Sequence, residues 1–193
     1  TAEILNRFYR IPAFLWSWSW QTASVPESDA PDLQIQKGMW NMEIPRNIRQ
    51  IGDIDQDLRL YMEDYVATFI EKLKRRNDTF VGVFLGKQAA DQEIPCLFIR
   101  GAVLMKQYEV EDSRIVMTAS SWNEVYEQTE ACFQDVEICG WFLCCRDEAM
   151  ADLYGLQKSH NENFKGQGQI FYLYNGSREE EAFYRFDFHG AHR

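Results

Sequence analysis

The stretch ICGWFLCCRDEAMADLY, residues 138–154, decides how the fold of this chain is predicted. Its first part, Ile138 to Cys144, is an unbroken apolar run with the length of a buried strand. The polar residues after it predict a loop, and the residues from Glu148 to about Phe164 predict a helix. Many α/β enzymes hold their reactive groups where a strand opens into a loop. The question is therefore whether this strand end carries such groups.

The pattern on both sides of this strand predicts a mixed sheet with helices packed against it. The predicted strands are, in addition to the one above, Leu58–Met62, Phe80–Leu85, Cys96–Met105, Ile115–Met117, Ile170–Tyr174 and Tyr184–Phe188. The first predicted helix has helical spacing from Tyr65 to Leu73 and ends at Asn77 and Asp78. The second opens at the capping-box pattern Ser121-Trp122-Asn123-Glu124, and its predicted buried face consists of Trp122, Val125, Tyr126, Cys132 and Phe133. The third covers 148–164, with Met150, Leu153 and Tyr154 facing inward. The predicted elements follow in the order strand, helix, strands, helix, strand, helix, strands. This order predicts a chain that mixes helices and strands (α/β in the broad sense), with an α+β arrangement.

Composition and charge restrict the class of protein. With 46% hydrophobic residues the chain has enough apolar side chains for a folded core. The net charge of −10 argues against a nucleic-acid partner, because a phosphate backbone would be repelled. No segment approaches the roughly 20 apolar residues of a membrane span. The chain begins with Thr1, and we take it as a fragment of a longer product.

The five cysteines predict reduced thiols. They are Cys96, Cys132, Cys139, Cys144 and Cys145. Their number is odd, and their spacing matches neither a disulfide framework nor a zinc ribbon. Reduced thiols are typical of the cytoplasm, so a cytoplasmic location is expected.

Residues 1–50 are predicted to form an N-terminal arm, and residues 51–193 the folded domain. In the arm, Trp16, Trp18 and Trp20 alternate with serines, so an extended segment would place all three on one face. Such a stripe packs either against the chain's own domain or against a partner protein, because exposed aromatic patches mark interfaces. We treat the three tryptophans as candidate interaction residues.

Two stretches resemble the JAB/MPN domain, the fold of the zinc isopeptidases of the proteasome lid. VGVFLGK (81–87) resembles that family's strand ending in a leucine-glycine pair, and ICGWFLCC (138–145) resembles its GWYHTHP strand. The resemblance covers about residues 58–188. In addition, PRNIRQIG (45–52) followed by LYMEDYV (60–66) is similar to an uncharacterised group of proteins from Clostridia-type bacteria with an MPN-like core.

The resemblance implies a zinc site whose ligands are missing here. In active members two histidines and an aspartate bind zinc, a glutamate is the general base, and a serine supports the oxyanion. Matched position by position, the histidines fall on Leu143 and Cys145, the proline after them on Arg146, the serine on Tyr154, the aspartate on Gln157 and the glutamate on Thr79. Leucine does not ligate a metal, glutamine is a poor ligand, and one cysteine does not hold zinc alone. No metal or other cofactor is therefore expected.

The chemistry that remains leaves one alternative open. Cys144 and Cys145, with His160 as a possible base, would suit a cysteine-dependent hydrolase or a redox protein. His189 and His192 have the spacing of a metal pair, yet they lie in a polar tail and are not expected to bind a metal. The principal expectation is a catalytically silent MPN-like module that binds a protein partner or a second copy of itself, as the resemblance implies for inactive members.

Overall fold

The computed structural model describes residues 47–51, 58–91, 94–164, 169–187 and 190–192, all within the unit Pro45–Arg193. The candidate tryptophans of the arm therefore lie outside the described residues. The first described strand begins at Ile48, slightly before the predicted domain start at residue 51. The division of the chain at residue 50 stays a prediction.

The described residues form ten strands, three α-helices and one short 3-10 helix. In chain order they are β1 (Ile48–Ile51), β2 (Arg59–Glu63), α1 (Asp64–Lys74), β3 (Phe80–Asp91), β4 (Ile94–Met105), β5 (Glu109–Glu111), β6 (Arg114–Val116), α2 (Ala119–Cys132), β7 (Glu137–Cys145), the 3-10 helix (Glu148–Ala151), α3 (Leu153–Asn163), β8 (Ile170–Asn175), β9 (Glu180–Asp187) and β10 (Gly190–His192).

Eight of these strands form one mixed sheet in the order β1-β2-β4-β3-β7-β8-β9-β10, and β5 pairs with β6 in a separate hairpin. The pairs β2–β4 and β7–β8 are parallel, whereas the other pairs are antiparallel. Because parallel neighbours need a crossover, α3 connects β7 to β8. The predicted mixed α+β architecture is confirmed.

The helices cover both faces of the sheet. Helix α1 contacts β2, β4 and β7. Its Phe69 lies edge-on to Phe142 of β7, with 6.5 Å between ring centroids. The neighbouring residue Trp141 points the other way and bonds to His160 of α3. We call these the α1 face and the α3 face of β7.

A large apolar cluster fills the α3 face. Its buried members are Val81, Val83, Leu85, Val103, Met105, Ile115, Met117, Val125, Trp141, Leu143, Cys145, Leu156, Phe164, Phe171 and Leu173. They come from β3, β4, β6, β7 and β8, from helices α2 and α3, and from the residues directly after β6 and α3. The interior position of β7 explains why its sequence is apolar almost throughout rather than alternating.

Gly140 shows how closely β7 and β8 approach. The carbonyl oxygen of Ile170 would lie only 2.3 Å from a Cβ atom at position 140. Only glycine allows the first residue of β8 to begin its pairing at this point. The pairing of β7 with β8 therefore requires glycine at position 140.

The helix predicted for 148–164 is interrupted. Asp152 has extended backbone angles, and its carboxylate accepts the backbone N–H of Gly155 at 3.0 Å, so it caps α3. The residues before it form only the 3-10 helix. Tyr154, predicted to face inward, is 67% exposed because it follows this cap on the outer side of the first turn.

The start and the buried side of α2 also differ from the prediction. The N-cap is Thr118, whose side chain and that of Ser121 bond reciprocally to each other's backbone N–H groups. Ser121 is therefore the third residue of the helix and closes the capping box, but it is not the N-cap. Val125 is buried as predicted, whereas Tyr126 and Cys132 are exposed, because only one narrow side of the helix meets the sheet.

Candidate functional site

The end of β7 carries three consecutive residues that point alternately to the two faces of the sheet. Leu143 and Cys145 lie in the apolar cluster on the α3 face, and both are buried. Cys144 lies on the α1 face, where Lys74 of α1 and Glu181 of β9 influence its pKa. Adjacent residues of a strand project to opposite sides, so these two thiols belong to different environments.

The positions that correspond to the histidines of the resembling motif are packed with apolar groups. Phe80 pairs with Cys144, which places Thr79 beside Cys145 at the strand end. The hydroxyl of Thr79 lies 3.9 Å from the sulfur of Met150, and its carbonyl oxygen accepts the phenol of Tyr108 at 3.4 Å. Burial is the main cause that raises the pKa of Tyr108, and the nearby Cys145 thiol raises it further. The strand end is thus closed by a threonine, a tyrosine, a methionine and a thiol.

The two motif positions on α3 do not complete a metal site. Tyr154 points outward, and the ammonium of Lys158 lies 4.4 Å from its ring centroid. Gln157 is partly buried. In the described part of the chain, no group of three or more histidine, cysteine, aspartate or glutamate side chains is arranged to hold a metal ion.

The thiols of the strand end are held in their protonated form. Burial is the main cause that raises the pKa of Cys144 to about 12. The neighbouring Cys145 thiol also raises this pKa, whereas Lys74 lowers it. Burial is the main cause that raises the pKa of Cys145 to about 11, and the negative charge of Asp147 raises it further. Because the thiolate is the nucleophile, neither side chain is activated at neutral pH.

His160 lies on α3 and is only 3% exposed, and its ring accepts a hydrogen bond inside the protein. Its Nδ1 accepts the indole N–H of Trp141 at 3.1 Å. The rings of Phe164 and Phe186 flank it, with centroid distances of 5.5 and 4.9 Å. Burial lowers the pKa of His160 to about 4, so the imidazole is neutral at physiological pH.

The structure does not bring Cys144 and His160 together, because they lie on opposite faces of the sheet. Cys145 shares the α3 face with His160. His189 lies outside the described residues, and only the backbone of His192 is described, as the end of β10. The expectation that these two histidines bind no metal stays a prediction.

One polar network near Cys144 was not predicted. Lys74 at the end of α1 bonds to Glu71 at 2.6 Å and to Glu181 at 2.9 Å, and Tyr172 also donates to Glu181. Burial alone would raise the pKa of Glu181, but the hydrogen bonds from Tyr172 and Lys74 outweigh it and lower the pKa. In the sequence, three consecutive glutamates at 179–181 are by themselves typical of a solvated turn. Local pattern carries no signal for a contact between residues so far apart in the chain.

A groove of about 410 Å³ lies beside α2 and the end of α3. It is lined by Trp122, Tyr126, Ile138, Glu162, Asn163, Phe164 and Gln169. Three of its polar side chains are hydrogen-bonded, two of them to other residues of the groove. Asn163 accepts from Trp122, Glu162 from Arg114, and Gln169 donates to Ile138. No nucleophile and base are paired on its described walls.

Comparison with protein-family models gave no match, and no curated protein compared with the chain matched it. The helices in the described ranges are too short or too polar to cross a membrane.

Proposed function

We propose that this chain is a non-catalytic, MPN-like module that works by binding protein. One observation carries the proposal. The two positions at which the resembling motif has zinc-binding histidines are occupied by Leu143 and Cys145, both buried in the apolar cluster of the α3 face. These side chains stabilise the core by excluding water, and water is the reactant that a zinc hydrolase must admit.

The order of the elements supports the resemblance. From α1 onward the chain forms the antiparallel pair β3–β4, the hairpin β5–β6, helix α2, the central strand β7, helix α3 and the parallel strand β8. The two resembling stretches occupy β3 and β7, which are neighbours in the sheet. The neighbouring positions of these stretches are the structural argument for a common fold.

The chemistry of the thiols disfavours the alternative, a cysteine-dependent hydrolase or redox protein. A nucleophilic cysteine needs a lowered pKa and a base within hydrogen-bonding reach. Here burial raises the pKa of both Cys144 and Cys145. The nitrogen of His160 that could accept a proton, Nδ1, already accepts from Trp141.

Exposed aromatic side chains support a binding role. Tyr154 is 67% exposed and Tyr126 is 53% exposed, and tyrosine is enriched where proteins meet. The proposed partner is another protein or a second copy of this chain. Because the net charge is −10, nucleic acid is not proposed as a partner. A cytoplasmic location is proposed because the cysteines are predicted to be reduced.

Affinity capture from the source cells, combined with light scattering of the purified chain, tests this proposal. Tyr126→Ser and Tyr154→Ser are compared with Glu127→Ser, an exposed residue of the same helix as Tyr126. A partner, or a dimer, that persists in the wild type and in Glu127→Ser but is lost in either tyrosine variant supports binding. A monomer that enriches no protein contradicts it. A hydrolytic activity lost in Cys145→Ser would establish the alternative instead.

A further inference from the structure

The turn between β8 and β9 contains the sequence Asn175-Gly176, the one asparagine-glycine pair in the chain. Asn175 is the last residue of β8 and pairs with Cys145 of β7 on one side and with Glu180 of β9 on the other. Asparagine followed by glycine is the dipeptide in which the backbone nitrogen can most easily attack the preceding side chain. Glycine adds no Cβ atom to hinder that attack.

The fold occupies both groups that such a reaction needs. The backbone N–H of Gly176 donates to the carbonyl oxygen of Cys145 at 2.7 Å. The side-chain oxygen of Asn175 accepts the backbone N–H of Ser177 at 3.0 Å. Asn175 is also only 7% exposed. The attacking nitrogen and the amide it would attack are therefore each held by another partner.

Arg146 and Ser177 hold the same turn from outside. The Arg146 guanidinium donates to the carbonyl oxygen of Gly176 at 3.5 Å, and the hydroxyl of Ser177 donates to the carbonyl oxygen of Arg146. Both groups are exposed, in contrast to Asn175. The protection of a buried asparagine thus depends in part on two side chains at the surface.

We propose that Asn175-Gly176 is a spontaneous modification site that reacts only when the β8–β9 turn opens. The Gly176 nitrogen loses its proton and forms a bond to Cγ of Asn175. The bond between Cγ and the side-chain nitrogen breaks, and ammonia leaves. Water then opens the resulting five-membered succinimide at one of its two carbonyls. The products are aspartate or isoaspartate at position 175, and the net reaction consumes one water and releases one ammonia.

The two products differ in their effect on the sheet. Aspartate retains the normal backbone and an oxygen that can accept the Ser177 N–H. Isoaspartate routes the main chain through the former side chain and adds one carbon to it. This displaces the Gly176 N–H from the Cys145 carbonyl oxygen and shifts the register at the end of β8. The loss of the Asn175 side-chain amide as ammonia is not reversed. Isoaspartate at position 175 therefore shows that the turn has been open.

Mass spectrometry of the full chain tests the proposal. Native protein, protein in denaturant and a synthetic peptide spanning 171–181 are incubated at mildly alkaline pH. The conversion at position 175 is followed by the mass change of amide to carboxyl and by an isoaspartate assay. We expect native conversion to be about tenfold slower, or slower still, than in denaturant and in the peptide, because strand ends within a sheet open rarely. Equal rates in the three samples would overturn the proposal.

Two variants separate chemistry from protection. Gly176→Ala should slow conversion in denaturant and in the peptide, where folding plays no part; an unchanged rate contradicts attack by this nitrogen. Arg146→Ala should accelerate conversion in the native protein and leave the denaturant rate unchanged. No acceleration in a folded Arg146→Ala protein contradicts control by this turn. If that variant does not fold, Ser177→Ala, which removes the other outside contact, provides the same comparison.

Discussion

The indole N–H of Trp141 donates to Nδ1 of His160, and this 3.1 Å bond joins the central strand β7 to the helix α3 that follows it. The bond requires a neutral imidazole, because a protonated ring has N–H groups on both nitrogens and no acceptor. Two aromatic rings and the absence of solvent around His160 favour the neutral form further. The stability of the fold should therefore depend on pH through this residue.

The first prediction is that the protein loses stability as the pH falls from about 6.5 to about 4. Burial lowers the folded-state pKa of His160 to about 4, below its ordinary value of 6.5. The unfolded chain thus binds the proton first, and the stabilisation present above pH 6.5 disappears on acidification. A shift of this size corresponds to about 3 kcal/mol. Urea unfolding at several pH values measures it.

His160→Gln is the control for this prediction, since its side-chain oxygen can accept from Trp141 and does not titrate. Other groups titrate in both proteins, so the difference between the two stability curves isolates His160. We expect that difference to shrink as the pH falls. Parallel curves between pH 4 and 7 would show that His160 is not responsible.

The second prediction concerns thiol reactivity. Cys132 is exposed, whereas the other four cysteines are buried, and burial raises the pKa of Cys139 and Cys144 to about 12. Iodoacetamide should label Cys132 first in the native protein, and all five thiols in denaturant. The Cys132→Ser variant should be nearly inert until it unfolds. Rapid labelling of Cys144 or Cys145 at pH 7 would favour the enzyme alternative.

The third prediction is that the purified chain binds no stoichiometric zinc. The residues at the motif positions, Leu143, Cys145 and Gln157, do not form a set of zinc ligands. Elemental analysis should find far less than one zinc per chain after mild chelation. One zinc per chain that survives chelation, together with a fall in melting temperature when it is finally removed, would refute the prediction.

The fourth prediction concerns Arg146, at the position after the strand where the resembling motif has proline. Its guanidinium donates to the carbonyl oxygens of Lys74 and Arg76, each at 3.3 Å, and so completes the C-terminal end of α1. Arg146→Ala should lower the free energy of unfolding by about 1 kcal/mol. Arg146→Lys should restore only part of this free energy, because a compact ammonium does not have the separated N–H groups with which the guanidinium reaches both carbonyl oxygens. An unchanged urea midpoint in Arg146→Ala would contradict this role.

The fifth prediction concerns the arm. If Trp16, Trp18 and Trp20 pack against this protein or a second copy, replacing all three with serine should lower the melting temperature or turn a dimer into a monomer. The reason is that each tryptophan can bury up to about 250 Å², at about 25 cal/mol per Å². Calorimetry and light scattering measure the two outcomes. A variant with unchanged melting temperature and mass would show that the stripe does not pack on this protein.

Local sequence was sufficient for the central elements of the fold. The apolar runs at β3, β4, β7 and β8 predicted strands close to those found, although β3 continues to Asp91 beyond the predicted end at Leu85. The start of helix α1 was predicted within one residue, whereas its predicted end at Asn77 and Asp78 lies beyond the observed end at Lys74. These elements were predictable because a run of apolar residues, or their helical spacing, is itself the cause of burial. The short strands β1, β5 and β10 have no such run, and their pairing comes from neighbouring chain segments.

The sequence by itself determined which side chains stand at the positions of the resembling motif, because the chemical identity of Leu143, Cys145 and Gln157 is independent of their placement. Only the tertiary structure decided which groups meet. It placed Cys144 and His160 on opposite faces of the sheet, joined Lys74 to Glu181, and bonded Gly176 to the carbonyl oxygen of Cys145. Each of these relationships depends on strand order and register across the sheet, which arise from long-range packing and leave no periodic signal in the local sequence.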